Sequence, residues 1–149
     1  MQGNEPFVRP EDIAAVKTAF LEGDANRVIN AMAPISLANE WHSQAVPKVV
    51  FDRNDDLLYM SRAPIPGNKE MLLQKAWKQV CIYAFSAQHL NAFTLNGGKT
   101  PFELIEDIEI LRFLELGCRV RMVRVEGGTI AVDHPEDISR AELLARQMD

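Results

Sequence analysis

At 149 residues and 16.8 kDa the chain has the length of one domain, and a chain of that size buries roughly 68–70% of its unfolded surface on folding. Its 47% hydrophobic and 25% charged residues, with a mean hydropathy of -0.12, argue against disorder, and no run reaches the roughly 18 apolar residues of a spanning helix. Sixteen Lys and Arg against 21 Asp and Glu leave a net charge of -5, the wrong sign for a protein that lives on nucleic-acid phosphates.

Ile13, Val16, Phe20 and Leu21 recur at helical spacing after Pro10, with Glu11 and Asp12 in the first turn and Gly23 as a stop; this predicts a helix over residues 10–21. Residues 28–35 are short and apolar with Pro34 near the end, a strand, and a short helix around residues 36–41 follows. Lys48-Val49-Val50-Phe51-Asp52 and Leu57-Leu58-Tyr59-Met60-Ser61 flank the polar turn Arg53-Asn54-Asp55-Asp56, which predicts an antiparallel hairpin. Two prolines and a glycine in Arg62-Ala63-Pro64-Ile65-Pro66-Gly67 forbid regular structure, and irregular chain directly after a strand is where binding residues tend to sit.

Residues 80–85 read as a buried strand, 87–93 as a short helix and 96–101 as a loop. The longest amphipathic stretch then runs from Pro101 as one helix, with Leu104, Ile105, Ile108 and Leu111 as its apolar stripe and Gly117 as its end. Residues 120–125 suggest a strand, and Pro135, Glu136 and Asp137 open a final helix to about residue 147. Strands alternating with helices, plus one hairpin, predict an α/β fold with a mixed sheet in a single domain over residues 1–149. Cys81 and Cys118 lie in apolar settings and read as buried free thiols of a reducing compartment. The first ten residues carry Glu5 and no apolar h-region, so the expectation is a cytoplasmic protein.

Four features bear on chemistry. Gly98-Lys99-Thr100 matches the end of a phosphate loop, but Phe93 stands where that motif needs glycine and Pro101 follows, so a plain loop is expected. Asp133 precedes a Pro-started helix; it either caps that helix or aims a carboxylate at a hard cation beyond the strand ends. Glu106, Glu109 and Arg112 are one turn apart in the predicted helix, so one face presents two acceptors and a cation, or a solvated set of ion pairs. His42, His89 and His134 share no ligand spacing and read as ordinary hydrogen-bonding histidines.

Taken together, four segments resemble those of 3-deoxy-manno-octulosonate (KDO) cytidylyltransferase, the CMP-KDO synthetase family. Met1-Gln2-Gly3-Asn4-Glu5-Pro6 resembles its Gln-Gly-Asp-Glu-Pro motif, and Tyr59-Met60-Ser61-Arg62-Ala63-Pro64-Ile65-Pro66 its Tyr-Phe-Ser-Arg-Ala-Pro-Ile-Pro. Thr100-Pro101-Phe102-Glu103 through Glu106, Glu109, Leu111 and Arg112 resembles its Thr-Pro-Leu-Glu helix, and Val132-Asp133-His134-Pro135-Glu136-Asp137 its Val-Asp-Thr-Pro-Glu-Asp. The resemblance implies an incomplete Rossmann-like nucleotidyltransferase: the sugar-binding and dimer-forming part, without the CTP-binding half. It also implies homodimers, Mg²⁺ as cofactor, and the lipopolysaccharide-precursor reaction CTP + KDO to CMP-KDO + pyrophosphate.

By the same resemblance Gln2, Arg62, Tyr83, Glu106 and Glu109 line the sugar pocket, with Arg62 on the KDO carboxylate. Asp133 is the metal ligand, joined by Asn4 at the place of the family's Asp. The chain departs from the pattern at Asn4, at Cys81-Ile82-Tyr83-Ala84-Phe85-Ser86 in place of Gly-Ile-Tyr-Gly-Tyr-Arg, and at Pro47 between Val46 and Lys48. The expectation is therefore a chain inactive alone, either as part of a nucleotidyltransferase or as a non-catalytic remnant that binds and dimerises. A cytidylyltransferase for another acidic sugar is the third reading.

Overall fold

The computed structural model describes residues 6–23, 27–127, 132 and 135–148. Its elements are α1 (Pro10–Glu22), β1 (Arg27–Ile35), α2 (Ala38–His42), β2 (Lys48–Phe51), β3 (Leu57–Ser61), β4 (Ala76–Ala84), α3 (Ala87–Leu95), α4 (Pro101–Glu106), α5 (Ile110–Glu115), β5 (Arg119–Arg124) and α6 (Pro135–Met148). Among the described residues no helix is long and apolar enough to cross a membrane.

Five strands form one sheet in the order β3-β2-β4-β1-β5. Only β1 and β5 run parallel; the other pairs are antiparallel. Strand β1 is the axis of the core because its side chains alternate between two buried faces. Val28 and Met32 join Val49, Leu57, Met60, Ile108, Ile110, Leu111, Phe113, Val120 and Met122 on one side. Ile29, Ala31 and Ala33 join Val16 of α1, Val80, Ile82 and Val125 on the other. A strand buried on both faces reads as a continuous apolar run, which is why residues 28–35 were legible without alternation.

The hairpin β2–β3 leaves the sheet early, pairing with β4 only at Lys48 and Val49, and its turn returns to β5. Asp52 Oδ1 accepts from the backbone N–H of Asn54 and of Asp56 at 2.8 and 2.9 Å, a side-chain mimic of a turn. The N–H of Asp56 is the main reason the Asp52 carboxyl lies below the usual range. Asp56 Oδ1 then accepts from Arg27 (2.8 Å) and Arg121 (3.0 Å), Arg124 donates to Asp55 (2.7 Å), and the Met122 N–H donates to the Asp55 carbonyl. The turn thereby covers part of the β5 edge, whose unpaired groups would otherwise invite another strand.

Three expectations need correction. The stretch from Pro101 to Gly117 is two short helices rather than one, because Asp107 takes a left-handed conformation (φ 52°) between α4 and α5. The Glu115 carboxylate folds back to accept from the N–H groups of Phe102 and Glu103 in the first turn of α4, which a straight helix forbids. The break sends Ile108 and Leu111 into the core but leaves Leu104 and Ile105 of the predicted stripe 67% and 77% exposed. Strand β4 begins at Ala76, four residues ahead of the apolar run, and both cysteines are half-buried rather than buried, with the Cys118 thiol pushed up by its burial.

Candidate functional site

Two clusters flank the α4–α5 corner. The first is a three-segment junction of the turn at residues 43–47, the end of β3 and the end of α4. The Glu106 carboxylate accepts from Ser61 Oγ (2.6 Å) and the Arg62 N–H (2.8 Å), with Tyr59 OH a longer 3.5 Å away. Burial, then the charge of Glu106, raises the Tyr59 phenol above its ordinary value.

Arg62 answers from the opposite direction. Its Nε donates to the Glu106 carbonyl, Nη2 to the Asp107 carbonyl (2.9 Å) and Nη1 to the Gln44 carbonyl (2.9 Å). A cation is thus placed on the last carbonyls of α4, where the helix dipole favours it. Beneath it lies Lys48, fully buried, whose Nζ donates to the carbonyls of Ser43 (2.8 Å), Val46 (2.7 Å) and Arg62. Burial, with the Arg62 charge adding, lowers the Lys48 ammonium to about 8. The irregular segment after Arg62 is pinned separately, by fully buried Trp41 donating to the Ile65 carbonyl (3.3 Å).

The second cluster is a pocket of approximately 210 Å³ lined by Tyr83, Phe85, Leu90, Phe93, Glu109, Ile110 and Phe113. Its rings form a chain: Tyr83 stacks on Phe85 (5.9 Å), Phe85 on Phe113 (5.3 Å), and Phe93 tilts onto Phe113 (5.2 Å). The aim of Tyr83 is set by an irregularity in β4, where Asn30 opposes Tyr83 but Ala31 opposes Val80. Fully buried Asn30 heals that gap, donating to the carbonyls of Val80 (2.9 Å) and Ile82 (3.0 Å) and accepting from Gln79 (3.2 Å).

Behind the pocket Arg112 forks onto Glu103 at 2.5 and 2.6 Å, donates to the Phe93 carbonyl and lies 3.6 Å over the Phe93 ring. Burial alone would raise the Glu103 carboxyl; hydrogen bonds from Arg112 and the Thr100 N–H hold it below its ordinary value.

The predicted site residues therefore divide. Arg62 and Glu106 meet in the junction, while Tyr83 and Glu109 share the pocket. The single face of Glu106, Glu109 and Arg112 does not exist, because the α4–α5 break turns Arg112 inward to Glu103. Gln2, Asn4 and Asp133 lie outside the described residues, as does His134. No group of three or more His, Cys, Asp or Glu among the described residues is arranged to hold a metal ion. Residues 96–100 form a plain loop, and buried His89 bonds Ser86 Oγ through Nδ1 (2.9 Å). Sequence reasoning met Lys48 and Phe85 only as members of departing segments and gave them no role, and it missed Phe93 and Phe113, which carry no signal beyond apolarity.

A mixed five-stranded sheet covered by helices, with polar residues gathered where β3, β4 and the α4–α5 corner end, is the α/β fold of a nucleotidyltransferase. The chain belongs to the cytidylyltransferase family, whose model matches residues 1–124. It is 31% identical over 147 residues to 3-deoxy-manno-octulosonate cytidylyltransferase of Acaryochloris marina, covering 99% of this chain and 60% of that protein. The enzyme of the same name from Syntrophus aciditrophicus is 37% identical over 150 residues, covering 98% and 60%. A solved structure of CMP:2-keto-3-deoxy-manno-octonic acid synthetase complexed with CTP superposes with a TM-score of 0.88 at 29% identity, covering 100% of this chain and 61% of that one. The chain thus spans about three fifths of the length of the relatives it matches.

Proposed function

We propose that this chain is the sugar-side part of a KDO cytidylyltransferase, acting in the transfer of CMP from CTP to KDO in the cytoplasm. The observation that carries the reading is the junction itself. Arg62 and Glu106, matched by resemblance to sugar-contacting positions, are fixed against one another by bonds from β3 and α4. Three of the five Arg62 N–H groups hold carbonyls, and the remaining one on each terminal nitrogen is the pair a sugar carboxylate takes bidentately. Glu106 and Glu109, with the Tyr83 hydroxyl, serve as acceptors and donor for the sugar hydroxyls, and Gln2 completes the pocket.

In the reaction the anomeric hydroxyl oxygen of KDO gives up its proton to solvent and bonds to the α-phosphorus of CTP, the bond to the bridging oxygen breaks, and pyrophosphate leaves with that electron pair. Mg²⁺, the cofactor of this reading, would be held by Asp133 with Asn4 and would neutralise phosphate charge. Asn4 offers one negative charge fewer than a carboxylate, so the donor set suits a hard dication poorly. Positioning of the sugar is accordingly the work assigned to the described residues.

The second reading is a non-catalytic module that binds an acidic sugar and self-associates. Asn4 favours it; the exposed Leu90, Leu95, Phe102, Leu104 and Ile105 on α3 and α4 suit the homodimer both readings call for. The deciding experiment is Mg²⁺-dependent pyrophosphate release from CTP and KDO by the chain alone and by Asp133→Ala. Release that Asp133→Ala abolishes supports the enzyme and sinks the module. No release with KDO still bound makes the chain either a sugar-binding part of the enzyme that is inactive alone or the module, and a chain that binds neither CTP nor KDO overturns both.

A further inference from the structure

Lys48 is not part of the pocket and the resemblance gave it no role, yet every donor of its ammonium is bonded. An ammonium has three N–H donors, and all three meet carbonyls, those of Ser43, Val46 and Arg62. The side chain is fully buried, so no water stands in for any of them. The third carbonyl belongs to the residue whose N–H holds the Glu106 carboxylate and whose guanidinium holds the end of α4. The first two lie in the turn that Arg62 itself reaches through Gln44.

We infer that Lys48 is a positioning residue of the candidate site: its buried ammonium anchors the Arg62 carbonyl, and so sets the place from which Ser61 and Arg62 present donors to Glu106. The inference rests on Glu106 facing the sugar only for its consequence in binding; the anchoring itself stands on the bonds. A compact ammonium suits three carbonyls converging on one point, whereas the planar fork of arginine does not. Lys48→Met keeps the stem and removes the donors, so the Val46 and Arg62 carbonyls lose this partner while the Ser43 carbonyl keeps the Val46 N–H.

The lowered Lys48 value adds a second handle. The charged groups acting on it are Arg62, which lowers it further, and Glu106, which raises it. Across the β2–β4 pairing stands Lys78, itself bound to Glu40. Tyr59, near Glu106, is raised above its usual value and stays protonated through neutral pH. As pH climbs through about 8 the ammonium loses a proton and the hold on Arg62 weakens.

The test follows the Arg62 N–H by NMR hydrogen exchange in the full chain, with KDO binding measured alongside. Lys48→Met is expected to speed exchange at Arg62 by roughly tenfold or more while the amides of β1 keep their rates, and to weaken KDO binding without touching CTP. In the unsubstituted chain, the Arg62 amide and Glu106 carboxyl carbon signals are expected to shift together with a midpoint near 8. If Lys48→Met does not fold, Lys48→Arg decides the matter: it keeps the charge but not the compact donor set, and exchange at Arg62 is expected to speed there too. Unchanged exchange at Arg62, or a loss of protection equal at every amide, would each overturn the inference. If KDO binds to neither protein, the proposed function fails while the exchange result still judges Lys48.

Discussion

The junction around Glu106 and the pocket around Phe113 lie on either side of one helix corner, yet they are built on opposite principles. In the junction two cations and a carboxylate are held by eight hydrogen bonds of 2.9 Å or less, and most run to backbone carbonyls or N–H groups. In the pocket stacked rings supply the walls and Glu109 the charge. Bonded networks fix atoms to a narrow geometry, whereas apolar walls offer area with little direction. The contrast teaches that the corner holds polar groups rigidly on one side and leaves room on the other.

The largest effect expected is on the wall between them. Arg112→Ala removes one partner of a buried, forked ion pair and strands Glu103, at a cost of about 3–5 kcal/mol in urea unfolding. The double change of Glu103→Leu with Arg112→Met should return most of that stability, because no buried charge is left unpaired. If the single and double variants lose equally, packing rather than charge holds the wall.

Phe113→Ala opens a cavity where three rings meet, and about 3–5 kcal/mol should be lost while the junction survives. Measured together with Glu106→Gln, which should cost about 1–3 kcal/mol through donors left unmatched, the pair sharpens the contrast. Loss of KDO binding is expected mainly from the Glu106 change, and the reverse ranking would place recognition in the pocket.

Acid is a milder probe. The folded Glu103 carboxyl lies below its ordinary 4.5, so its contribution is complete above that value and disappears as pH falls through the folded one. Unfolding midpoints should fall more steeply below pH 4.5 in the unsubstituted chain than in the double variant. Smallest of all, Leu104→Ser with Ile105→Ser should change monomer stability by no more than about 0.5 kcal/mol, since both side chains are exposed. A shift from dimer to monomer in sedimentation would mark α4 as the contact between copies.

Much of the fold was legible from local pattern. The hairpin, α1 and the strand runs needed only apolar spacing and turn residues, and their observed bounds differ from the reading by a few residues. The candidate residues Arg62, Tyr83, Glu106 and Glu109 were visible through motifs. Their grouping was not, because the helix that was to align Glu106, Glu109 and Arg112 breaks at Asp107 under the pull of Glu115 and Arg62, both distant in the folded chain's logic if not all in its sequence.

By itself, then, the sequence determined most of the elements and the family, because spacing and residue type act between near neighbours. Tertiary structure alone decided which polar groups meet. Lys48 became an anchor, Arg112 a wall and Glu106 a fixed acceptor only when carbonyls from separate segments converged, since a buried cation must find its acceptors wherever the fold brings them.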